Sequence, residues 1–168
     1  MGLSTISVKA DTGAIGGSAS EEFMVESEVG DDTLILCPKC GYAANVEKAT
    51  CKPDIALDKD GKPQVETKLA IEKVPCAGVE TIAQMEEFFK MPASQFIKVL
   101  IYKVYNSGID FSAAPGGKSF KPGEAFVAVA IRGDLDVSET KLASSLKASA
   151  VELAEAEDVI KYSGAPHG

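Results

Sequence analysis

Short extended apolar runs occupy the first third of the chain, and helical spacing alternating with longer apolar strands takes over after residue 80. Residues 1–36 read as extended. Phe23-Met24-Val25 and Thr33-Leu34-Ile35-Leu36 are strand-like, and Gly30-Asp31-Asp32 between them is a turn signal, so the pair predicts a hairpin. Residues 13–20, rich in Gly, Ala and Ser, read as an irregular loop. Cys37-Pro38-Lys39-Cys40-Gly41 reads as a knuckle running into a helix start within the stretch that ends at Ala49. The polar stretch 52–63, broken by Pro53 and Pro63, predicts a domain boundary. Lys68 to Lys73 then enters a second domain as a strand.

Thr81-Ile82-Ala83-Gln84 fits a capping box, in which the Thr81 hydroxyl accepts a backbone N–H and Gln84 reaches back. Ile82, Met85, Phe88 and Phe89 fall on one helical face, and Pro92 ends the helix. Lys98 to Val104 reads as a buried strand with Ala125 to Ile131 as its neighbour. Residues 105–123 between them carry four glycines and two prolines, which predicts a long exposed hairpin loop. Asp136-Val137-Ser138-Glu139 is a second capping-box pattern, and the helix after it carries Leu142 and Leu146 on one face. Ala150 to Leu153 reads as a short strand. Glu155 to Tyr162 reads as a last helix, acidic early and basic late as the helix dipole prefers, with Gly164 as its stop. Strands mixed with helices, without a regular βαβ beat, favour an α+β fold, or α/β with a mixed sheet.

At 168 residues this is one domain, or a domain with an appendage. Hydrophobic residues make up 45% and aromatics 7%, so a core would be built from Val, Ile, Leu and Ala rather than rings. A formal charge of -8 repels phosphate, which makes the chain a poor stand-alone nucleic-acid binder. Any nucleic acid it handles should meet it only at a tip. The N-terminus shows no basic-then-apolar signal sequence, and the apolar runs are far shorter than the ~20 residues that span a bilayer. A cytoplasmic protein with no membrane partner is expected, with Cys37, Cys40, Cys51 and Cys76 as reduced thiols.

Two long strings carry a resemblance. Cys37-Pro38-Lys39-Cys40-Gly41-Tyr42-Ala43-Ala44-Asn45-Val46-Glu47-Lys48-Ala49 resembles the CxxCxYAANxEKA block of the bacterial prolyl-tRNA synthetase core, and residues 10–25 look like the core strand preceding it. From about Glu66 onward the chain resembles the insertion domain of the same family, whose fold also occurs in free-standing YbaK-like deacylases. The matching features are Thr81 to Lys90, Met91-Pro92, Phe96 to Leu100, Val127 to Asp134, Val137 to Leu142, and Gly164-Ala165-Pro166. The resemblance implies residues 1–51 as a piece of a class II synthetase core (an N-terminal β-hairpin piece), 52–65 as a linker, and 66–168 as a C-terminally truncated editing domain. Its implied activity is hydrolysis of alanine wrongly attached to the proline tRNA. An apolar synthetic pocket rejects a smaller amino acid poorly, since a missing methylene is worth only ~1–3 kcal/mol, and a second, smaller pocket excludes the proline ring.

The implied partners are the 3′ acceptor end of tRNA(Pro) and its alanine ester, within a parent that is a homodimer. No cofactor is implied for editing; ATP and Mg belong to the full-length parent. Glu21 stands where the core family usually has His, and the class II motifs for ATP and proline are absent. The chain is therefore expected to be a fragment that does not activate proline alone.

The resemblance implies that Lys98 is a residue needed for editing, a cation that can hold a terminal phosphate or ribose. Without the motif, a lysine at a strand end is more often a snorkelling surface residue. Asp134 can bind a ribose hydroxyl, an α-amino group or a water, or serve an ordinary Gly-Asp turn. Arg132 can pair with Asp134 or meet phosphate. Gly164, with Ala165 and Pro166 of the closing loop, can present N–H groups to the ester carbonyl or cap a helix. His167, the only histidine, has no nucleophile constellation; the resemblance implies attack by water assisted by a tRNA hydroxyl. Gly13 to Ser18 lacks the Gly-Lys-Ser/Thr ending of a phosphate loop. Cys37 and Cys40 have zinc-knuckle spacing, but only Cys51 is near enough in sequence to be a third of the four ligands a structural site wants. The rival readings are a non-catalytic module for the acceptor end and a small zinc-ribbon-like interaction protein.

Overall fold

Val8 and Ala10 are buried while Ser7 before them and Lys9 between them are exposed, the period-two signature of a strand with one covered face. That strand, β1 (Ile6–Ala10), organises the first of two units into which the chain divides, Met1–Lys73 and Val74–Gly168. The computed structural model describes residues 2–12, 19–51, 59–62, 70–111 and 123–165. Residues 13–18 of the loop read at 13–20, and most of the stretch read as a linker, lie outside the described residues, while Ser20 is already in a strand.

In the first unit β1 pairs antiparallel with β2 (Ser20–Met24), Ile6 opposite Met24 and Ala10 opposite Ser20. On its other side β1 runs parallel to β4 (Ala43–Asn45), and β4 pairs antiparallel with β3 (Leu34–Leu36). The sheet order β2-β1-β4-β3 makes it mixed. Two expectations are corrected here. The runs around Phe23 and Leu34 both become strands but do not form a hairpin, because β1 and β4 lie between them. The helix start expected after the knuckle is a strand at Ala43 instead. Chain continues after it for a single turn, where the Asn45 carbonyl accepts from Lys48 N–H (3.1 Å) and Ala49 N–H (2.8 Å) and its side chain also accepts from Lys48 N–H (2.9 Å). Ala44 and Asn45 are buried between two strands, so tertiary pairing overrides a weak helical preference.

Residues 70–73, the end of the first unit, are irregular and exposed, so the strand expected at Lys68 to Lys73 does not form over its described part. The second unit begins at Val74. Helix α1 (Ile82–Phe89) starts on the expected capping box: Thr81 Oγ1 accepts from Gln84 N–H (3.2 Å), and Gln84 Oε1 accepts from Thr81 N–H (3.0 Å). It stops at Lys90 in the left-handed region, ahead of Pro92, which opens a 3-10 turn at Ala93–Gln95. Strand β5 (Ile97–Tyr105) pairs antiparallel with β6 (Glu124–Arg132) along its whole length. On its other edge β5 pairs antiparallel with β7 (Ala150–Leu153). Residues 112–122 of the connection read as a long loop lie outside the described residues.

Helix α2 (Glu139–Leu146) is capped by Ser138, which accepts from Lys141 N–H, and not by Asp136 as the capping-box reading had it. Helix α3 (Ala156–Ser163) ends at Gly164, whose φ of 74° suits glycine. Directly opposed residues share a face of the antiparallel sheet. One face therefore carries Lys98, Leu100, Tyr102 and Val104 with Ile131, Val129, Val127 and Ala125. Tyr102, Val104 and Ala125 on it are buried and form the core of this unit with Phe96.

The fold is α+β, one mixed sheet and one antiparallel sheet with three helices among the described residues.

Candidate functional site

The sheet brings three of the sequence-predicted residues to one end of β5 and β6. Lys98, second residue of β5, stands opposite Ile131. Its side chain is 25% exposed, and its ammonium donates to Asp136 Oδ1 at 3.1 Å. The Asp136 side chain is 100% exposed, so this ion pair is the kind that solvent screens and a stronger anion replaces.

Arg132 closes β6 and points to the opposite face by strand alternation. It joins the cluster through Asp134 in the turn closed by Leu135 N–H to the Arg132 carbonyl (3.0 Å). Arg132 Nε donates to Asp134 Oδ1 (2.6 Å) and Nη2 to Oδ2 (3.0 Å), a bidentate fork. The Arg132 hydrogen bond, helped by Asp134's own N–H and by the charges of Arg132 and Lys98, holds the Asp134 carboxyl below the usual carboxylate range. Asp134 is thus a fixed anion: a good acceptor for an ammonium or hydroxyl, a poor base.

The turn is anchored. Gly133 N–H donates to the Phe96 carbonyl (2.8 Å), and a Cβ at 133 would lie 2.6 Å from the Ala93 carbonyl oxygen. Only glycine lets β6 approach the 3-10 turn this closely, and that approach sets where Arg132 and Asp134 stand relative to Lys98.

Sequence reasoning missed one residue of this end and one further along the same face. Asp136 was read as a helix cap and is the partner of Lys98. Tyr102 lies two steps beyond Leu100 on the same face as Lys98, and is 5% exposed. Burial, then the Glu139 and Asp136 carboxylates, push its phenol up, so it stays a protonated donor. The period-two pattern Lys98, Leu100, Tyr102 was the available signal.

Gly164 and Ala165 are not brought to this cluster. Gly164 N–H donates to the Ile160 carbonyl (2.9 Å) and Ala165 N–H to Ser163 Oγ (3.0 Å), so both amides already have acceptors. The end of α3 is pinned where Tyr162 stacks on Phe126, ring centroids 4.3 Å apart. Phe126 stands opposite Lys103, on the other face from Lys98 and five residues along β5. At about 3.4 Å per residue that is roughly 17 Å. Pro166 and His167 lie outside the described residues.

Among the described residues no group of three or more His, Cys, Asp and Glu side chains could hold a metal ion, and no helix is long and apolar enough to cross a membrane. All four cysteines are free thiols, Cys40 and Cys51 exposed and Cys37 and Cys76 partly so.

This end of the sheet thus carries a lysine on the apolar face and an Arg132–Asp134 pair in the turn that follows β6. Comparison with known proteins gives the chain a family. The model of the aminoacyl-tRNA editing domain matches residues 76–168, inside the second unit. The chain belongs to the aminoacyl-tRNA editing domain family. It is 52% identical over 165 residues to a proline--tRNA ligase of Treponema denticola, a match covering 97% of this chain and 28% of that protein. Similar proteins named proline--tRNA ligase occur in Brachyspira hyodysenteriae (44% identical over 168 residues, 100% of this chain and 25% of that one) and Thermotoga maritima (36% over 168 residues, 100% and 25%). The chain thus spans about a quarter of the length of these curated relatives.

Proposed function

We propose that this chain is the editing segment of a cytoplasmic, homodimeric proline--tRNA ligase, and that its second unit hydrolyses alanine from mischarged tRNA(Pro). The observation that carries this is the Lys98 end of the β5–β6 sheet within a family-matched domain. The first unit, with its mixed sheet, belongs in this reading to the class II catalytic core, and the second unit is the domain inserted into it. Both stretches match the ligases, since the relatives cover nearly the whole chain.

Lys98 releases Asp136 and takes a phosphate or ribose oxygen of the 3′-terminal nucleotide. The exchange is favourable because Asp136 is wholly in water while phosphate offers several strong acceptor oxygens. Asp134, held by Arg132, accepts from the α-ammonium of the aminoacyl group or from a ribose hydroxyl. Its depressed pKa argues against a role in taking the proton of water. Water attacks the ester carbonyl with help from the adjacent tRNA hydroxyl; the ester C–O bond breaks and the ribose oxygen takes a proton. The apolar wall of Leu100, Val129 and Ile131 suits a methyl side chain. Gly164 and Ala165 enter this mechanism only as the cap that ends α3.

ATP and Mg serve the ligation reaction of the whole enzyme. In this reading the editing step is written without either. A non-catalytic acceptor-end module is the second reading, favoured by the depressed rather than raised pKa of Asp134. Hydrolysis of pre-charged alanyl-tRNA(Pro) and prolyl-tRNA(Pro) by the full-length enzyme separates the two. The editing reading requires loss of the alanyl ester while the prolyl ester persists. Equal, background-rate decay of both would leave only a binding module.

A further inference from the structure

The turn between β3 and β4 holds chemistry that the editing reaction does not use. Cys37 N–H donates to the Tyr42 carbonyl (2.8 Å) and Gly41 N–H to the Cys37 carbonyl (3.0 Å), with Gly41 at φ +70°. This closes the Cys37–Gly41 loop and folds Cys40 back on Cys37. The N–H groups of Cys40 and Lys39, the Cys40 N–H first, and then the Cys40 thiol hold the Cys37 thiol below its usual range. Two accessible thiols carried on one closed turn, one of them lowered, form a reactive and resolvable pair rather than two inert side chains.

Access is open as well. Cys37 is partly exposed and Cys40 exposed. Cys40 lines a surface hollow of about 440 Å³ with Ser7, Lys9, Glu21 and Tyr42. Lys9 Nζ stands 5.7 Å from the centre of the Tyr42 ring that walls it.

We propose that Cys37 and Cys40 are a thiol-modification site that takes hydroperoxides, with Cys37 the attacking sulfur and Cys40 the resolving one. The Cys37 thiolate attacks the outer oxygen of the peroxide, the O–O bond breaks, and the leaving alkoxide or hydroxide picks up a proton. Cys37 becomes a sulfenic acid, oxidised by two electrons as the peroxide is reduced. The Cys40 thiol then attacks that sulfur, hydroxide leaves as water with the thiol proton, and an intramolecular disulfide results. A dithiol reductant reverses it. Cys51, exposed on the same unit, and Cys76 serve as internal controls.

The test is treatment of the full chain with equimolar hydrogen peroxide, followed by peptide mapping with and without a sulfenic-acid trap. The expected result is a Cys37–Cys40 disulfide forming at least about tenfold faster than any change at Cys51 or Cys76. In Cys40→Ser the trap should label Cys37, and in Cys37→Ser no labelling should occur at position 40. Equal oxidation of all thiols, or a disulfide that uses Cys51 or Cys76 instead, would overturn the proposal. The wild-type rates decide it even if a variant folds poorly.

Discussion

A methyl group at position 133 has no room. In Gly133→Ala the new Cβ would lie 2.6 Å from the Ala93 carbonyl oxygen and 3.1 and 3.4 Å from Cδ1 and Cγ2 of Ile82. The Ile82 side chain can turn away. The Ala93 carbonyl cannot do so cheaply, because it accepts from Phe96 N–H (3.1 Å) while the Phe96 carbonyl accepts from Gly133 N–H (2.8 Å). Relieving the contact means moving β6 off the 3-10 turn and loosening both bonds. Overpacking of this kind costs about 1–3 kcal/mol. The stiffer unfolded chain of alanine offsets about 0.4–1 kcal/mol. A net loss of about 1–2 kcal/mol remains, and at about 4–8 °C per kcal/mol for a domain of this size Tm should fall by roughly 5–15 °C. Near-UV circular dichroism reads the second unit well, because Tyr102, Tyr105 and Tyr162 lie in it and only Tyr42 lies in the first. An unchanged or higher Tm would refute the reasoning, since it would mean the β6 turn and Ala93 are not in fixed contact.

Three further outcomes follow from the same geometry. Ser138→Ala removes the acceptor for Lys141 N–H and should destabilise the second unit by about 1 kcal/mol, read by chemical denaturation; Asp136→Ala should cost less, because Asp136 does not cap α2. Thr81→Ala, which breaks the capping box of α1, should cost a similar ~1 kcal/mol. Arg132→Ala should raise the Asp134 pKa toward the ordinary ~3.9, measured by carboxyl carbon NMR titration. A depressed native pKa stabilises above the unfolded value and is lost as pH falls through the native one, so the stability gap between this variant and wild type should narrow in that acid range. An Asp134 titration that does not move would remove Arg132 as the main cause.

Local signals in the second unit were legible because they are local. The Thr81–Gln84 box and the Gly164 stop rest on contacts within a few residues, and the β5 and β6 strands are long apolar runs that show in the sequence before any partner is known. The place of Lys98 at the opening of β5 was legible from the apolar run that follows it. The first unit was harder because its pairing is non-local. Phe23 and Leu34 show that a strand exists but not its neighbour, and β1 joins β4 across more than thirty residues through one register pair, Lys9 opposite Ala44. Ala43-Ala44-Asn45 carries no strand signal of its own and becomes one by lying between two strands. At α2 both Asp136 and Ser138 are good caps on paper. The ammonium of Lys98, distant in sequence, takes Asp136 and leaves Ser138 to the helix.

The most direct test of the central claim is the rate at which the full-length enzyme hydrolyses pre-charged alanyl-tRNA(Pro) with Lys98 intact and in Lys98→Ala. A charged hydrogen bond to the terminal nucleotide is worth about 1.5–3 kcal/mol, so the rate should fall about 10- to 150-fold. The circular dichroism spectrum should stay the same, because Lys98 is partly exposed and its partner Asp136 lies in water. A folded Lys98→Ala enzyme that clears alanyl-tRNA(Pro) at the wild-type rate would contradict the account.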